Sequence, residues 1–182
     1  VVTCLGKDEK NNYWLGTGGE GLFIVSIVNG KAQMKPFAYN DKLKGMEISS
    51  VFFDNRNNVW VTTVGFGSVW IKENGETQYF NKTTGLNFNS IHCGITDEFG
   101  DIWMGTSGGG LVKFSSGAFL SYANYEGFKN NNVFAVLCDK EDAVWIDVYG
   151  SGLFRLKSGE LKKFTEENGL KSNFIRALFQ DS

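Results

Sequence analysis

Residues 16–21 read GTGGEG, a match to Gly-x-Gly-x-x-Gly. Such a loop holds a dinucleotide pyrophosphate when a strand precedes it and a helix follows, because the helix N-terminus then faces the phosphates. Here the run that follows is GLFIVSI, a strand-type sequence, and Gly-x-Gly recurs at 65–67, 108–110 and 150–152. A hairpin turn that needs positive φ explains the glycines better than a nucleotide does. The second chemical set is acidic. Asp8, Asp54, Asp97 and Asp139 recur at intervals of 46, 43 and 42 residues, too far apart to share one metal ion. An Asp ahead of a turn instead accepts N–H groups within that turn. Asp97, Glu98 and Asp101 in DEFGD match a fragment of a calcium loop but lack its closing Glu. The adjacent acids Glu141 and Asp142 read as a solvated turn, since a glycosidase pair is defined by geometry. Cys4, Cys93 and Cys138 are an odd number, so they build no complete disulfide framework, and three unpaired thiols are expected. His92 is the single imidazole, which excludes a His-rich metal site and leaves no nucleophile–base pair visible in sequence. No cofactor and no metal is expected.

The elements that position these residues follow from composition and repeats. The chain has 182 residues, 18 Lys+Arg against 20 Asp+Glu, 23 Gly, 16 Phe, 5 Trp and one Pro. Near-neutral charge argues against a nucleic-acid binder that works by neutralising phosphates. No apolar run is long enough to span a membrane as a helix. Abundant Gly and aromatics with little Pro suit many short strands joined by tight turns. The chain opens VVTCLGKD, without Met or a signal-peptide pattern, and reads as a piece of something longer.

Trp14, Trp60, Trp103 and Trp145 each follow a repeated Asp by six residues. Each precedes the second glycine of a Gly-x-Gly by seven. Phe37, Phe80, Tyr122 and Phe164 lie eleven residues before Ile48, Ile91, Val133 and Ile175, which open the next units. Four residues before the Asp, and before the fifth copy Asp181, the chain holds Cys4, Ser50, Cys93, Ala135 and Ala177, all small. Each unit reads as four strands: one before the Asp, one carrying the Trp, one after Gly-x-Gly and one ending in the aromatic. Four strands in about 42 residues is the period of a β-propeller blade. The expected fold is all-β: four four-stranded antiparallel blades plus the first strand of a fifth, part of a larger propeller. Blade boundaries are expected at about 1–47, 48–90, 91–132 and 133–174, with the fifth starting at 175–182. The small strand-one residues suit the innermost strand, and the Trp suits the wide gap between blades.

Residues 91–111, IHCGITDEFGDIWMGTSGGGL, resemble the two-component regulator propeller repeat, and the pattern covers nearly the whole chain. Unit one departs by an insertion and by Lys42 where the others have Gly85, Gly127 and Gly169; unit two has Ser68 for Leu; unit four has Asp147 and Val148 for Gly-Thr. The resemblance implies the periplasmic sensing region of a bacterial, often hybrid, histidine kinase anchored in the inner membrane. It implies further blades and a kinase in the parent chain, and an oligosaccharide as the ligand.

The repeats also align themselves, so positions that differ between units are free to carry function. The entry to strand one and the turn between strands two and three share one end of each blade. The divergent residues there include His92, Phe134 and Arg176 on strand one, Glu20 and Phe66 in the Gly-x-Gly turn, and Tyr149 just before it. These six are expected to converge on one rim as a ligand-binding set of aromatics and polar donors suited to a sugar. A non-catalytic sensor segment is the leading function. The alternatives are a propeller enzyme of lyase, lactonase or glycosidase type, and a protein-interaction scaffold. Uncovered blade faces and strand edges favour a homodimer.

Overall fold

The computed structural model describes residues 1–123, 128 and 131–181. Among the described residues, sixteen strands form four antiparallel sheets, each in simple meander order. Blade one holds β1 (Val2–Lys7), β2 (Tyr13–Thr17), β3 (Leu22–Val28) and β4 (Lys31–Pro36). Blade two holds β5 (Ile48–Phe53), β6 (Val59–Thr63), β7 (Ser68–Ile71) and β8 (Thr77–Phe80). Blade three holds β9 (Ile91–Thr96), β10 (Ile102–Thr106), β11 (Leu111–Ser115) and β12 (Ala118–Tyr122). Blade four holds β13 (Val133–Cys138), β14 (Val144–Val148), β15 (Gly152–Lys157) and β16 (Glu160–Phe164). The chain is thus an all-β array of propeller blades. No described helix is long and apolar enough to cross a membrane.

The first strands of successive blades, β1, β5, β9 and β13, pack against one another in chain order, which makes them the innermost layer. Their small residues face a matched position on strand two: Cys4 opposite Gly16, Ser50 opposite Thr62, Cys93 opposite Gly105 and Ala135 opposite Asp147. The pairs balance volume. A Cβ added at Gly105 would lie 2.7 Å from Cys93 Sγ and 2.5 Å from Val133 Cγ1 of the next blade. In blade four the strand-one partner shrinks to Ala135, and Asp147 takes the space.

The repeated Asp is the hub of each first turn. Asp97 Oδ1 accepts from the Phe99 and Asp101 amides at 3.0 and 2.9 Å, and its Oδ2 accepts from Trp103 Nε1 at 2.8 Å. Asp8 holds Trp14 and Asp139 holds Trp145 in the same way, at 2.9 and 2.6 Å. The turn closes through a left-handed residue three after the Asp: Asn11, Asn57, Gly100 or Asp142. Burial pushes the Asp8 and Asp139 carboxyls up, but these donated bonds outweigh it and both end below the usual carboxylate range. Blade two departs. Asp54 accepts from Trp70 Nε1 on β7 at 3.0 Å, and the buried Trp60 N–H has no partner among the described residues. Trp60 instead sits in a ring cluster, stacked on Phe80 at 5.4 Å and tilted against Phe114 of blade three at 5.6 Å.

The Thr that ends strand two clasps the Gly-x-Gly turn. Thr63 Oγ1 donates to Gly67 O at 2.8 Å and accepts from the Phe66 amide at 3.2 Å; Thr17 and Thr106 repeat this in their own blades. Both glycines of every such turn have positive φ. Val148 lacks the hydroxyl, and there the Ser151 amide donates to the Val148 carbonyl at 2.8 Å. Gly85 and Gly169 are left-handed caps of short 3-10 turns, whereas Gly127 lies outside the described residues. Residues 175–181 carry the fifth strand-one sequence but are assigned to no ladder, since no described strand pairs with them. They lie against the flank of blade four, where Leu178 and Phe179 border a groove with Leu137, Trp145 and Leu153.

Candidate functional site

The end of the array that carries the Gly-x-Gly turns also carries the entries to strand one. The Tyr149 amide donates to the Asn132 carbonyl at 2.9 Å, and the Ser107 amide to the Ser90 carbonyl at 2.9 Å. Asparagines two residues before strand one reinforce this junction. Gly67 N–H donates to the Asn89 carbonyl at 2.7 Å and Gly110 N–H to the Asn131 carbonyl at 2.8 Å. That asparagine repeat escaped the sequence reading, although Asn89, Asn131 and Asn173 stand in register.

Four of the six expected rim residues meet. His92 stacks on Phe134 with ring centroids 4.3 Å apart and planes 23° off parallel. Phe134 meets Tyr149 edge-on at 5.4 Å, and Tyr149 meets Phe174 edge-on at 4.9 Å. The Arg176 guanidinium carbon lies 5.2 Å from the Phe134 ring centre and 5.5 Å from that of Tyr149. The result is an aromatic row running from blade three across blade four, topped by an exposed cation. Phe174 belongs to this row and was not among the expected residues. Its signal in sequence was an aromatic directly before the strand-one aliphatic Ile175.

Glu20 and Phe66 share that end of the array, but among the described residues no ring or cation contact joins them to the row. Glu20 borders a shallow groove on blade one with Asn40, Asp41 and Lys44. Phe66 is 54% exposed at the tip of its turn in blade two. At the positions equivalent to Phe66 and Val64, blade three carries only Gly109 and Ser107, so its own turn adds no ring to the row.

The strand-one position that yields His92 has a second job elsewhere. Thr3 Oγ1 donates to the Ile48 carbonyl and Ser49 Oγ to the Ile91 carbonyl, both at 2.5 Å, which ties each blade to the next. From His92 onward the same position switches from hydrogen bonding to ring stacking.

Burial lowers the His92 pKa, so its imidazole is neutral at pH 7. Beneath the row lies Asp147, 0% exposed, and neither carboxylate oxygen has a hydrogen-bond partner among the described residues. Burial pushes its carboxyl up to about 7, against the opposing charge of Arg176. Cys4, Cys93 and Cys138 are unpaired and half-buried. Burial raises all three thiols, Cys93 to about 12, so none is a ready nucleophile. No group of three His, Cys, Asp or Glu residues among those described is placed to hold a metal ion.

No family model matches the chain, and no curated protein matches it. Among solved structures, it is similar to the extracellular domain of a protein assigned as a hybrid two-component system of B. thetaiotaomicron. That match has 20% identity and a TM-score of 0.80, and covers 97% of this chain and 24% of the other. A second such domain from the same organism gives 21% identity and a TM-score of 0.63 over 94% of this chain and 26% of the other. Virginiamycin B lyase from Staphylococcus aureus gives 12% identity and a TM-score of 0.68, covering 97% of this chain and 58% of the lyase. The chain therefore spans about a quarter of the two-component domains it resembles, and the likeness establishes the propeller fold.

Proposed function

We propose that the chain is a ligand-sensing propeller segment of a bacterial two-component sensor. It recognises a carbohydrate outside the inner membrane and signals to a membrane histidine kinase in the same protein. The observation that carries this reading is the aromatic row His92–Phe134–Tyr149–Phe174 with Arg176 over it. Flat rings meet the apolar faces of sugars, and guanidinium donors fix polar substituents. The likeness to two extracellular two-component domains supports the sensor context. Signalling requires that the ligand bind one arrangement of the array better than another, and a row spanning two blades and the tail offers such a joint.

The test is a panel of plant and host oligosaccharides screened against the 182-residue chain by calorimetry, with Phe134→Ala and Tyr149→Ala as variants. Binding of at least one glycan, weakened tenfold or more by either variant at an unchanged fold, is the expected result. Equal affinity in both variants removes the row from the function.

The lyase likeness favours a second reading, a propeller enzyme, in which neutral His92 is the natural candidate base. Turnover of any panel glycan, abolished by His92→Ala, would put this reading ahead of the first.

A further inference from the structure

Arg176 lies over two rings with its N–H donors uncommitted. Phe134 and Tyr149 take the guanidinium at 5.2 and 5.5 Å, and Arg176 makes no hydrogen bond or ion pair among the described residues. A cation over ring faces is held in place without using its N–H donors. Those donors form a rigid fork matched to the two oxygens of a carboxylate. Asp147, whose carboxyl feels the Arg176 charge, is buried and raised to about 7, so near neutral pH it offsets the cation only in part. His92 beside it adds no charge.

Resting on the carbohydrate reading above, we infer that this rim takes an acidic glycan. The Arg176 fork binds the carboxylate of a uronic acid, and the ring row carries the adjoining sugar. The pairing is charge-assisted and bidentate, so a lysine in place of Arg176 supplies the charge without the geometry.

The probes are oligogalacturonides and heparosan oligosaccharides, each compared with its carboxyl-reduced neutral counterpart, with a sulfated neutral oligosaccharide as a third arm. Binding to the 182-residue chain is measured by calorimetry, with Arg176→Gln and Arg176→Lys alongside. Arg176 is exposed, so both variants should keep the fold, and circular dichroism is the check. The inference expects at least one uronate oligosaccharide to bind ten times or more tighter than its reduced form. It also expects Arg176→Gln to erase that preference and Arg176→Lys to restore only part of it. Equal binding of acidic and reduced forms, unchanged in Arg176→Gln, overturns the acidic ligand and leaves the carbohydrate reading standing. Preference for the sulfated arm overturns the carboxylate in favour of a sulfate ester. Binding of none of these glycans, nor of the wider neutral panel, overturns both.

Discussion

Asp97 is the clearest case of one side chain holding a local structure. It accepts two turn amides and the Trp103 indole N–H, and it is buried. Asp97→Ala strands three donors, each worth about 1 kcal/mol net and more where buried, so a loss of about 3 kcal/mol is expected in urea unfolding. A change below 0.5 kcal/mol would contradict the hub role. The exception in blade two sharpens the point. Trp60 makes no such bond while Trp103 does, so Trp103→Phe should cost about 1–2 kcal/mol more than Trp60→Phe. Asp147 acts with the opposite sign. Its folded carboxyl is raised from 3.8 to about 7, so the native state binds more protons than the unfolded chain across that window. Its contribution is therefore fully favourable below about pH 4 and is lost as pH rises towards 7, by roughly 4 kcal/mol at most. Asp8, Asp101 and Asp139, all lowered, contribute in the other direction: their stabilisation is present above about pH 4 and lost on acidification. Asp147→Asn should thus leave stability at pH 4 nearly unchanged and raise it progressively up to pH 7.5, as read from thermal midpoints. A constant offset at all pH values would show that the group does not titrate there. The sequence revealed Asp147 only as a departure from Gly-Thr. Its burial depends on Ala135 across the ladder and on the tail, neither of which spacing alone brings together.

At the scale of the element, the turns decide more than the strands. The Gly-x-Gly turn has both residues at positive φ, and a Cβ at Gly152 would collide with the Phe164 carbonyl. Gly117, in the hairpin before β12, also has positive φ (83°) but meets nothing within 4 Å. Both alanine variants incur the backbone penalty of about 1 kcal/mol, but only Gly152→Ala must also move a strand. Denaturant midpoints should therefore separate the two clearly, with Gly152→Ala the less stable; equal midpoints would mean that the close approach is not enforced. These turns were legible because glycine, Asp and Trp each leave a mark at fixed spacing. The hydroxyl clasp of Thr17, Thr63 and Thr106 was visible only as the Thr of a motif, because its bonds run to turn groups that spacing does not orient. The stitching of blades by Thr3 and Ser49 was hidden for a different reason. A position that varies between repeats looks free, yet here it alternates between two ways of joining neighbours, a hydroxyl to a carbonyl or a ring to a ring. That switch also underlies the rim: where rings and Arg176 replace the hydroxyls, a contiguous aromatic row forms.

At the scale of the whole molecule, blade one turns an apolar face outward. Leu5, Tyr13 and Met34 are exposed, and Leu5 matches in register Val51, which blade one covers in blade two. A face built for blade packing and left open favours association, as exposed patches do. Sedimentation should show concentration-dependent self-association that Leu5→Lys reduces; a strict monomer at high concentration would contradict this. The repeat made the array legible because every blade solves one packing problem with the same residue types. Which divergent residues meet was only partly legible, because ring contacts such as those of Tyr149 and Phe174 depend on where the turns and the tail lie, which repeat spacing does not give. The central claim is that ligand recognition sits on the strand-one end of blades three and four. Grooves at the opposite end, such as the one of about 180 Å³ between Trp14, Phe53 and Val59, are the rival location. The direct test is amide chemical-shift mapping of the 182-residue chain during titration with the strongest-binding oligosaccharide of the panel. The account predicts shifts concentrated at His92, Phe134, Tyr149 and Arg176, with the Asp97–Asp101 turn silent. Shifts centred on the Asp–Trp turns, or no shifts with any glycan, would contradict it.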